Sequence, residues 1–255
     1  MIKNIQGMKI NYEIYGEGFP VLILHGWGGC INSMLPIING LKTNYKLIVI
    51  DFIGHGKSDF PLSPMGVPEY TSVVKDFIDE LGIKELYLIG HSFGGRVSIM
   101  LSSLYPNLVK KMILVDSGGI KLKKTFKQIC KVYSYKFVKN FLKIVMFNSK
   151  RYQDIMVSYR KKAGSSDYNA LPENMKATFV KVVNQDLRQY LKNISTPTLV
   201  VWGECDKDTP LYMGKIIADG IKNSGIVVLK GAGHFSYIDN SAEFNLIALN
   251  FLGGN

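Results

Sequence analysis

The pentapeptide Gly90-His91-Ser92-Phe93-Gly94 constrains the fold of this 255-residue chain more than any other segment. The apolar run Leu86–Ile89 precedes it, and a helix-like stretch, Arg96–Leu104, follows it. A serine on so tight a strand-to-helix turn has strained backbone geometry, and small residues must flank it because Cβ atoms would clash there. The turn also places the Ser92 hydroxyl at a helix N-terminus, where partial positive charge favours a developing alkoxide. The segment therefore predicts a nucleophilic serine at the end of a strand.

Apolar runs and helical periodicity alternate along most of the chain. Strands are predicted at residues 2–5, Lys9–Tyr15, Pro20–Leu24, Lys46–Ile50, Glu85–Ile89, Lys111–Val115, Thr198–Trp202 and Ile226–Leu229. Helices are predicted at Thr71–Leu81, 210–221 and 239–252. This alternation indicates an α/β fold, a parallel sheet with helices on both faces. Ligands of such sheets bind beyond the carboxyl ends of the strands.

One long segment, residues 119–192, has no obvious strand of a parallel sheet. It is lysine-rich and mostly helical in pattern, so we interpret it as a helical cap inserted into a core formed by residues 1–118 and 193–255. Residues 118–192 hold 17 of the 31 basic and 4 of the 20 acidic residues, a net charge of +13. The rest of the chain then has a net charge of −2, so the whole basic excess lies in the insertion.

Three interpretations of the basic insertion remain open. It is a solvated lysine face above packed aromatic side chains, a surface that attracts anionic substrates, or a surface that rests on an anionic membrane. Nucleic-acid binding is disfavoured because no recognition motif accompanies the charge. The chain has no 18-residue apolar run and no apolar leader at its N-terminus, so we expect a cytoplasmic location. Three widely spaced cysteines predict no disulfide framework.

A serine nucleophile needs a base within hydrogen-bond reach and an acid that orients the base. His234 is the best base, because it follows the strand Ile226–Leu229 on a glycine-containing loop. His91 is expected to point away from the Ser92 hydroxyl, since adjacent side chains diverge. His25 and His55 follow other strands and are expected to support loop geometry. A metal site is disfavoured, since no HxH or HExxH spacing appears.

Asp206 is the favoured acid, because it follows the strand Thr198–Trp202 directly. The chain order is then serine, acid, histidine, as in acyl hydrolases. Glu204 and Asp208 are local competitors, and Asp116, after the preceding strand, is a distant one. Asp208 also suits the N-cap of the helix that follows Pro210.

The oxyanion of a tetrahedral intermediate needs preorganised N–H donors. One is expected to be the backbone N–H of Phe93, the residue after the nucleophile. The other is assigned to the Trp27 N–H, in the loop His25–Gly29 that follows the strand Pro20–Leu24. Loss of one such donor typically costs roughly 3–4 kcal/mol of transition-state stabilisation. A phosphate-binding loop is disfavoured here, since neither GxGxxG nor a Walker lysine is present.

Five motifs in this order resemble the α/β-hydrolase fold family over nearly the whole chain outside the insertion. The matching stretches are His25–Gly28, Asp51–Asp59, Gly90–Gly95, Gly203–Asp206 and Gly233–Phe235. The resemblance implies eight strands with the second antiparallel, a nucleophile after the fifth and a helical cap after the sixth. It also implies that Asp51–Asp59 is a structural loop. Serine rather than aspartate at the elbow argues against an epoxide hydrolase or a haloalkane dehalogenase.

The sequence thus predicts a serine hydrolase of carboxylic esters, thioesters or related acyl compounds that forms an acyl-enzyme on Ser92. No cofactor or metal is required by this chemistry. The same triad serves the carbon–carbon bond hydrolases that cleave vinylogous diketones and the cofactor-free haloperoxidases, which the chain also resembles. A rival from another class is a small-ligand receptor that keeps the triad and turns over slowly. A third is an interaction protein without catalysis, which the intact triad disfavours.

Overall fold

A computed structural model describes residues 1–121, 168 and 171–253. The chain divides into two compact units, one of Met1–Lys121 with Val180–Asn255 and one of Leu122–Phe179. The first unit takes in residues 180–192, which the sequence analysis assigned to the insertion. Most of the predicted cap, including all of the lysine and aromatic stretch 121–151 except Lys121, lies outside the described residues.

The described residues form an eight-stranded sheet of mostly parallel strands. Its strands are β1 Ile2–Ile5, β2 Met8–Tyr15, β3 Pro20–Leu24, β4 Lys46–Ile50, β5 Leu86–His91, β6 Val109–Val115, β7 Thr198–Gly203 and β8 Ser224–Leu229. The spatial order is β1-β2-β4-β3-β5-β6-β7-β8. Strand β2 is antiparallel to both of its neighbours, and the pairs from β4 to β8 are parallel. The predicted fold class and the antiparallel second strand are confirmed.

Helices cover both faces of the sheet. The α-helices among the described residues are α1 Leu35–Leu41, α2 Val67–Glu80, α3 Phe93–Leu104, α4 Glu173–Asn184, α5 Arg188–Leu191, α6 Leu211–Gly220, α7 Ser236–Asp239 and α8 Ser241–Gly253. Buried residues of α2, α3, α5 and α6 pack on one face, and those of α1, α7 and α8 on the other. Strand β3 supplies Leu22 and Leu24 to the first layer and Val21 and Ile23 to the second, as the two-residue period of a strand requires.

The sequence analysis did not predict helix α1. Pro36 and Gly40 weaken a helical pattern in so short a segment. The helix is stabilised by burial instead, since Ile37, Ile38 and Leu41 are almost fully inaccessible. Gly40 lies close to α8, since a Cβ there would be 2.2 Å from Cγ of Asn245 and that side chain would have to move. Tertiary packing therefore outweighs local propensity in this segment.

The expectations on membrane-spanning helices and on disulfides can be compared with the described residues. No helix among them combines the length and the apolar character needed to cross a bilayer. Cys30 and Cys205 are free thiols, and Cys130 lies outside the described residues.

Truncation of a buried side chain in a central strand leaves a cavity, so Ile23→Ala in β3 is expected to lower the free energy of unfolding by roughly 2–5 kcal/mol. Ile23 is fully buried between its two neighbouring strands. Ile2→Ala in β1 is the matched control, because Ile2 is 64% exposed and its truncation should change stability by less than about 0.5 kcal/mol. Urea denaturation followed by circular dichroism measures both. Equal losses for the two variants would contradict the assigned core.

Candidate active site

Ser92 stands at a sharp turn between β5 and α3. Its backbone has φ 49° and ψ −106°, a conformation that non-glycine residues rarely adopt. A Cβ on Gly94 would lie 2.2 Å from the Leu24 carbonyl oxygen, and one on Gly90 would lie 2.3 Å from Oγ of Ser98. The strained serine and the glycines on either side are those that the sequence analysis expects at this turn.

The structure brings Ser92, His234 and Asp206 together in hydrogen-bond contact. Nε2 of His234 lies 3.0 Å from Oγ of Ser92, and its Nδ1 lies 2.9 Å from Oδ2 of Asp206. His234 follows β8 and Asp206 follows β7, so both loops leave the same edge of the sheet as the elbow. The Asp206 side chain is buried and that of His234 is 14% exposed. The arrangement can move a proton from the serine hydroxyl to an imidazole that a carboxylate orients.

Hydrogen bonds distinguish Asp206 from the other carboxylates of its loop. Its Oδ1 accepts the N–H groups of Asp208 and Thr209 at 2.8 and 2.9 Å, and its Oδ2 lies 2.7 Å from Oγ of Thr209. Exposed Glu204 instead accepts the N–H of Gly231 at 3.0 Å. The predicted capping role of Asp208 is wrong, because α6 begins at Leu211 with Pro210 in the N-cap position. The turn from Asp206 to Thr209 closes on the Asp206 carboxylate instead.

The charges of the site stabilise a protonated histidine. Burial opposes the imidazolium, but the hydrogen bond and charge of Asp206, with the charges of Asp116 and Asp208, raise the pKa of His234 above its usual value. Burial also opposes the Asp206 carboxylate, yet hydrogen bonds from His234 and Thr209 lower its pKa below the usual value. Neutral His234 is the form that accepts the serine proton, so activity is expected to fall as the pH drops through this raised pKa.

His91 contacts the main chain of the His234 segment, and no hydrogen bond joins it to Oγ of Ser92 among the described residues. Its Nε2 donates to the carbonyl oxygen of His234 at 2.8 Å. Full burial, with the neighbouring His234, lowers the pKa of His91 to about 3, so its imidazole is neutral. The sequence analysis missed this contact with the main chain of His234. The position of His91 at the end of β5, the strand that ends at the same sheet edge as the loop of His234, is the sequence signal that could have predicted this contact.

His25 and His55 support loops, as the sequence analysis expects. Nε2 of His25 accepts the N–H of Phe52 at 3.0 Å, and its Nδ1 donates to the Gly26 carbonyl at 2.7 Å. Burial, with the neighbouring His55, lowers the pKa of His25 to about 4. Nδ1 of His55 lies 3.1 Å from the Ile53 carbonyl. Both imidazoles are therefore part of the wall behind the elbow.

The loop after β3 lies against the elbow. A Cβ on Gly26 would be 2.7 Å from Nδ1 of His91 and 3.3 Å from Cβ of Ser92. The Trp27 and Phe93 rings meet edge to face at 5.4 Å. The Phe93 N–H is the first of α3 and has no acceptor among the described residues. The two positions predicted to donate to the oxyanion therefore flank Ser92, and their donor role remains a proposal.

Asp51 anchors the loop that was predicted to be structural. Its Oδ1 accepts the N–H of Ile31 at 2.7 Å, and its Oδ2 accepts the N–H of Lys57 and Nδ2 of Asn11, both at 2.8 Å. The side chain is 2% exposed. Asp51 is thus saturated by contacts that lie apart from His234 and Asp206.

Asp206, Asp208 and His234 are also the side chains in the described residues that could together hold a cation. One ligand atom of each lies within 4.8 Å of the others. Both ring nitrogens of His234 already contact Asp206 and Ser92. A cation at this position would therefore compete with the proton-transfer arrangement.

Two family models match separate parts of the chain. The model described as alpha/beta hydrolase fold matches residues 20–145, which include the elbow and the loop of Trp27. The model described as TAP-like protein matches residues 176–252, which include Asp206 and His234. Between them they cover all three members of the triad.

Curated relatives align along almost the whole chain. The 2-hydroxy-6-oxo-6-phenylhexa-2,4-dienoate hydrolase of Comamonas testosteroni is 28% identical over 271 residues, covering 98% of this chain and 93% of the relative. The 2-hydroxy-6-oxononadienedioate/2-hydroxy-6-oxononatrienedioate hydrolase of Escherichia coli K12 is 27% identical over 270 residues, covering 96% and 91%. Among solved structures, Est816, an N-acyl homoserine lactone degrading enzyme, has a TM-score of 0.75 at 25% identity and covers 98% of this chain and 99% of its own.

Replacement of the nucleophile tests the elbow. Ser92→Ala is expected to abolish hydrolysis while the far-UV circular dichroism spectrum stays unchanged, because the variant removes one hydroxyl from a turn that alanine also fits. A fluorophosphonate probe should label the wild-type protein at Ser92 and leave the variant unlabelled, as read by peptide mass spectrometry. A label on another residue would contradict the assignment.

Replacement of the acid tests the carboxylate choice. Asp206→Asn is expected to lower kcat by roughly 10³- to 10⁴-fold, because the amide no longer holds His234 in the tautomer that accepts the serine proton. Asp208→Asn is the matched control in the same loop, since the Asp208 side chain is exposed and its backbone makes the observed contact. Steady-state kinetics on one substrate compares them. A larger loss in Asp116→Asn than in Asp206→Asn would reverse the assignment.

Proposed function

The chain belongs to the α/β-hydrolase fold family, and we propose that it is a serine hydrolase that cleaves a carbon–carbon bond in 2-hydroxy-6-oxo-dienoates. The observation that carries this proposal is an intact serine–histidine–aspartate relay in a chain aligned end to end with relatives of that activity. From the sequence, esters are the first expectation and carbon–carbon hydrolysis is the second. The curated relatives favour the reverse order.

In the first step of the proposed reaction, Ser92 attacks the ketone carbon of the substrate. His234 takes the hydroxyl proton through Nε2, 3.0 Å away, and Asp206 stabilises the imidazolium that forms. The negative charge moves to the former carbonyl oxygen, which we assign to the N–H groups of Phe93 and Trp27. Such donors act on charge that exists only in the intermediate, so they lower the barrier rather than tighten substrate binding.

The second step needs a carbon leaving group that can hold an electron pair. In the keto tautomer of a 2-hydroxy-6-oxo-dienoate, the bond between C5 and C6 breaks and its electrons delocalise onto the oxygen at C2. The imidazolium of His234 supplies the proton that neutralises this dienolate. A water molecule, deprotonated by His234, then hydrolyses the acyl group from Ser92. One water is consumed, and a carboxylic acid and a 2-hydroxydienoate are released.

Esters and lactones are the second candidate substrates. An ester presents the same acyl carbon with an alkoxide leaving group, so the relay needs no additional residue to cleave it. Est816, which shares 25% identity and the fold, is named for the degradation of a lactone, a cyclic ester. Thioesters react by the same steps.

A paired assay separates the two substrate classes. Purified protein is offered 2-hydroxy-6-oxo-6-phenylhexa-2,4-dienoate, whose conjugated dienone absorbance disappears on cleavage, and p-nitrophenyl butyrate, which releases a coloured phenolate. We expect kcat/KM on the order of 10⁴ M⁻¹s⁻¹ or more for a dienoate and a lower value for the ester. Ser92→Ala is the control for background decay of both compounds.

Each other outcome has a defined meaning. Ester cleavage without dienoate cleavage would replace the first candidate by the second. Tight dienoate binding with turnover far below about 1 s⁻¹ for every compound would support the slow receptor instead of an enzyme.

A further inference from the structure

Asp116, the residue after β6, is a second buried carboxylate beside the triad. Its side chain is 0% exposed. Its backbone has φ 44°, in the region that favours glycine. Such a conformation costs roughly 1–3 kcal/mol and persists only where the surrounding structure holds it. The proposed reaction does not use Asp116, so its burial and strain call for another explanation.

The Asp116 carboxylate joins the two segments that carry the acid and the base. Its Oδ1 accepts the N–H of Gly203 at 2.7 Å, and Gly203 ends β7 just before the Asp206 loop. Its Oδ2 accepts the N–H of Ser236 at 3.0 Å and the Ser236 hydroxyl at 2.6 Å. Ser236 begins α7, two residues after His234. One side chain thus sets the distance between the two loops.

The main chain of Asp116 makes a third contact with the same region. Its carbonyl oxygen lies 3.0 Å from Oγ of Thr209, which also lies 2.7 Å from Oδ2 of Asp206. A hydroxyl carries one proton, so Thr209 donates to one of these oxygens at a time. Asp116 therefore contacts the segment from Gly203 to Thr209 twice, through its carboxylate and through its carbonyl oxygen.

We propose that Asp116 is a positioning residue, which holds the His234 segment in register with the Asp206 loop and adds its negative charge behind the imidazolium. This inference rests on the proposed serine-hydrolase function. Asp116 acts through Gly203 and Ser236 and has no contact with the reacting atoms in the structure. Displacement of a catalytic group by about 1 Å can lower the rate roughly 100-fold. Loss of the hydrogen bonds from Asp116 to Gly203 and Ser236 should therefore have a measurable kinetic effect.

The charge of Asp116 is sensitive to pH near neutrality. Burial raises the pKa of Asp116 to about 7, although the hydrogen bonds from Ser236 and Gly203 lower it. The ionised carboxylate accepts all three of these hydrogen bonds. A protonated carboxyl would instead donate one proton, which the Ser236 hydroxyl can accept by reversing its hydrogen bond. Protonation below about pH 7 therefore removes both the charge and one acceptor position.

Other charged groups surround Asp116 and His234. The charge of Asp206 raises the pKa of Asp116, and the charge of Asp116 contributes to the raised pKa values of His234 and Tyr237. The charge of Asp208 acts on His234 in the same direction, and neutral His91 contacts its carbonyl oxygen. Burial, with the charge of Asp206, raises the pKa of Asp116 to about 7.

The test measures the rate at which a fluorophosphonate probe labels Ser92 from about pH 5.5 to about pH 9, a range that includes the pH at which Asp116 titrates. In this reaction Oγ of Ser92 bonds to phosphorus and fluoride leaves, so the rate does not depend on the natural substrate. Asp116→Asn is expected to label roughly 10- to 100-fold more slowly at high pH. The ratio of the wild-type rate to the variant rate should shrink as the pH falls through about 7, where wild-type Asp116 is itself neutral.

Asp51→Asn is the matched control. Asp51 is also buried and also accepts three hydrogen bonds, but none of their donors belongs to the His234 or Asp206 segments. Its substitution is expected to lower Tm, and any loss of labelling rate should be the same factor at every pH. A pH-independent ratio for Asp116→Asn as well would reduce Asp116 to a purely structural residue and overturn the proposal.

Ser236→Ala provides a second route if Asp116→Asn fails to fold. It removes the 2.6 Å hydroxyl contact and leaves the Asp116 carboxylate in place. We expect a severalfold slower labelling rate, because the variant removes one of the contacts that join Asp116 to the His234 segment. An unchanged rate in Ser236→Ala overturns the positioning role. Wild-type protein that is not labelled at Ser92 would instead refute the serine-hydrolase function itself.

Discussion

The backbone strain at Ser92 is the constraint on which the rest of the structure depends. A non-glycine residue at φ 49° and ψ −106° is destabilised by roughly 1–3 kcal/mol, so its neighbours must hold it in place. Its N–H donates to the Val115 carbonyl, and its own carbonyl oxygen accepts the N–H of Gly118, both at 3.0 Å. The Gly94 N–H donates to the His25 carbonyl at the same distance. The turn is thus tied to the ends of β3 and β6, the two strands that flank β5.

The parallel sheet converts this local turn into a reaction centre. The carboxyl ends of parallel strands lie at the same edge of a sheet. The loops after β5, β7 and β8 therefore meet at this edge and bring Ser92, Asp206 and His234 together. Side chains at the ends of β5 and β6 then fix the base from behind. His91 contacts the carbonyl oxygen of His234, and Asp116 contacts Ser236 two residues later. A neutral imidazole and a buried carboxylate therefore restrain the segment of the catalytic histidine at two points.

The proposed reaction treats C–C and C–O bonds in the same way. In it Ser92 attacks the acyl carbon and His234 transfers the protons, and these steps are common to all the proposed substrates. The substrates differ in how the leaving group stabilises its electron pair. A dienolate does so by conjugation, and an alkoxide does so through the electronegativity of oxygen. Selection among substrates then depends on the residues that line the site. The basic insertion predicted from the sequence lies mostly outside the described residues, and its anionic substrate or membrane surface remains a prediction.

Features encoded by neighbouring residues could be predicted from the sequence, whereas features that depend on distant residues appear only in the tertiary structure. Apolar runs, the GxSxG turn and the chain order of Ser92, Asp206 and His234 are local patterns, so the sequence by itself determined the fold class, the strands and the triad candidates. Helix α1 was missed because its stability comes from burial of Ile37 and Ile38 against the sheet rather than from propensity.

Contacts between distant segments were decided by the tertiary structure alone. Asp208 looked like a helix cap from its neighbours, yet the turn closes on Asp206 and α6 begins at Leu211. Asp116 looked like a competing acid, yet its carboxylate faces Gly203 and Ser236, 87 and 120 residues away in the chain. A hydrogen bond depends on distances of a few tenths of an ångström between such segments. That precision comes from packing of the whole sheet, which no local pattern in the sequence encodes.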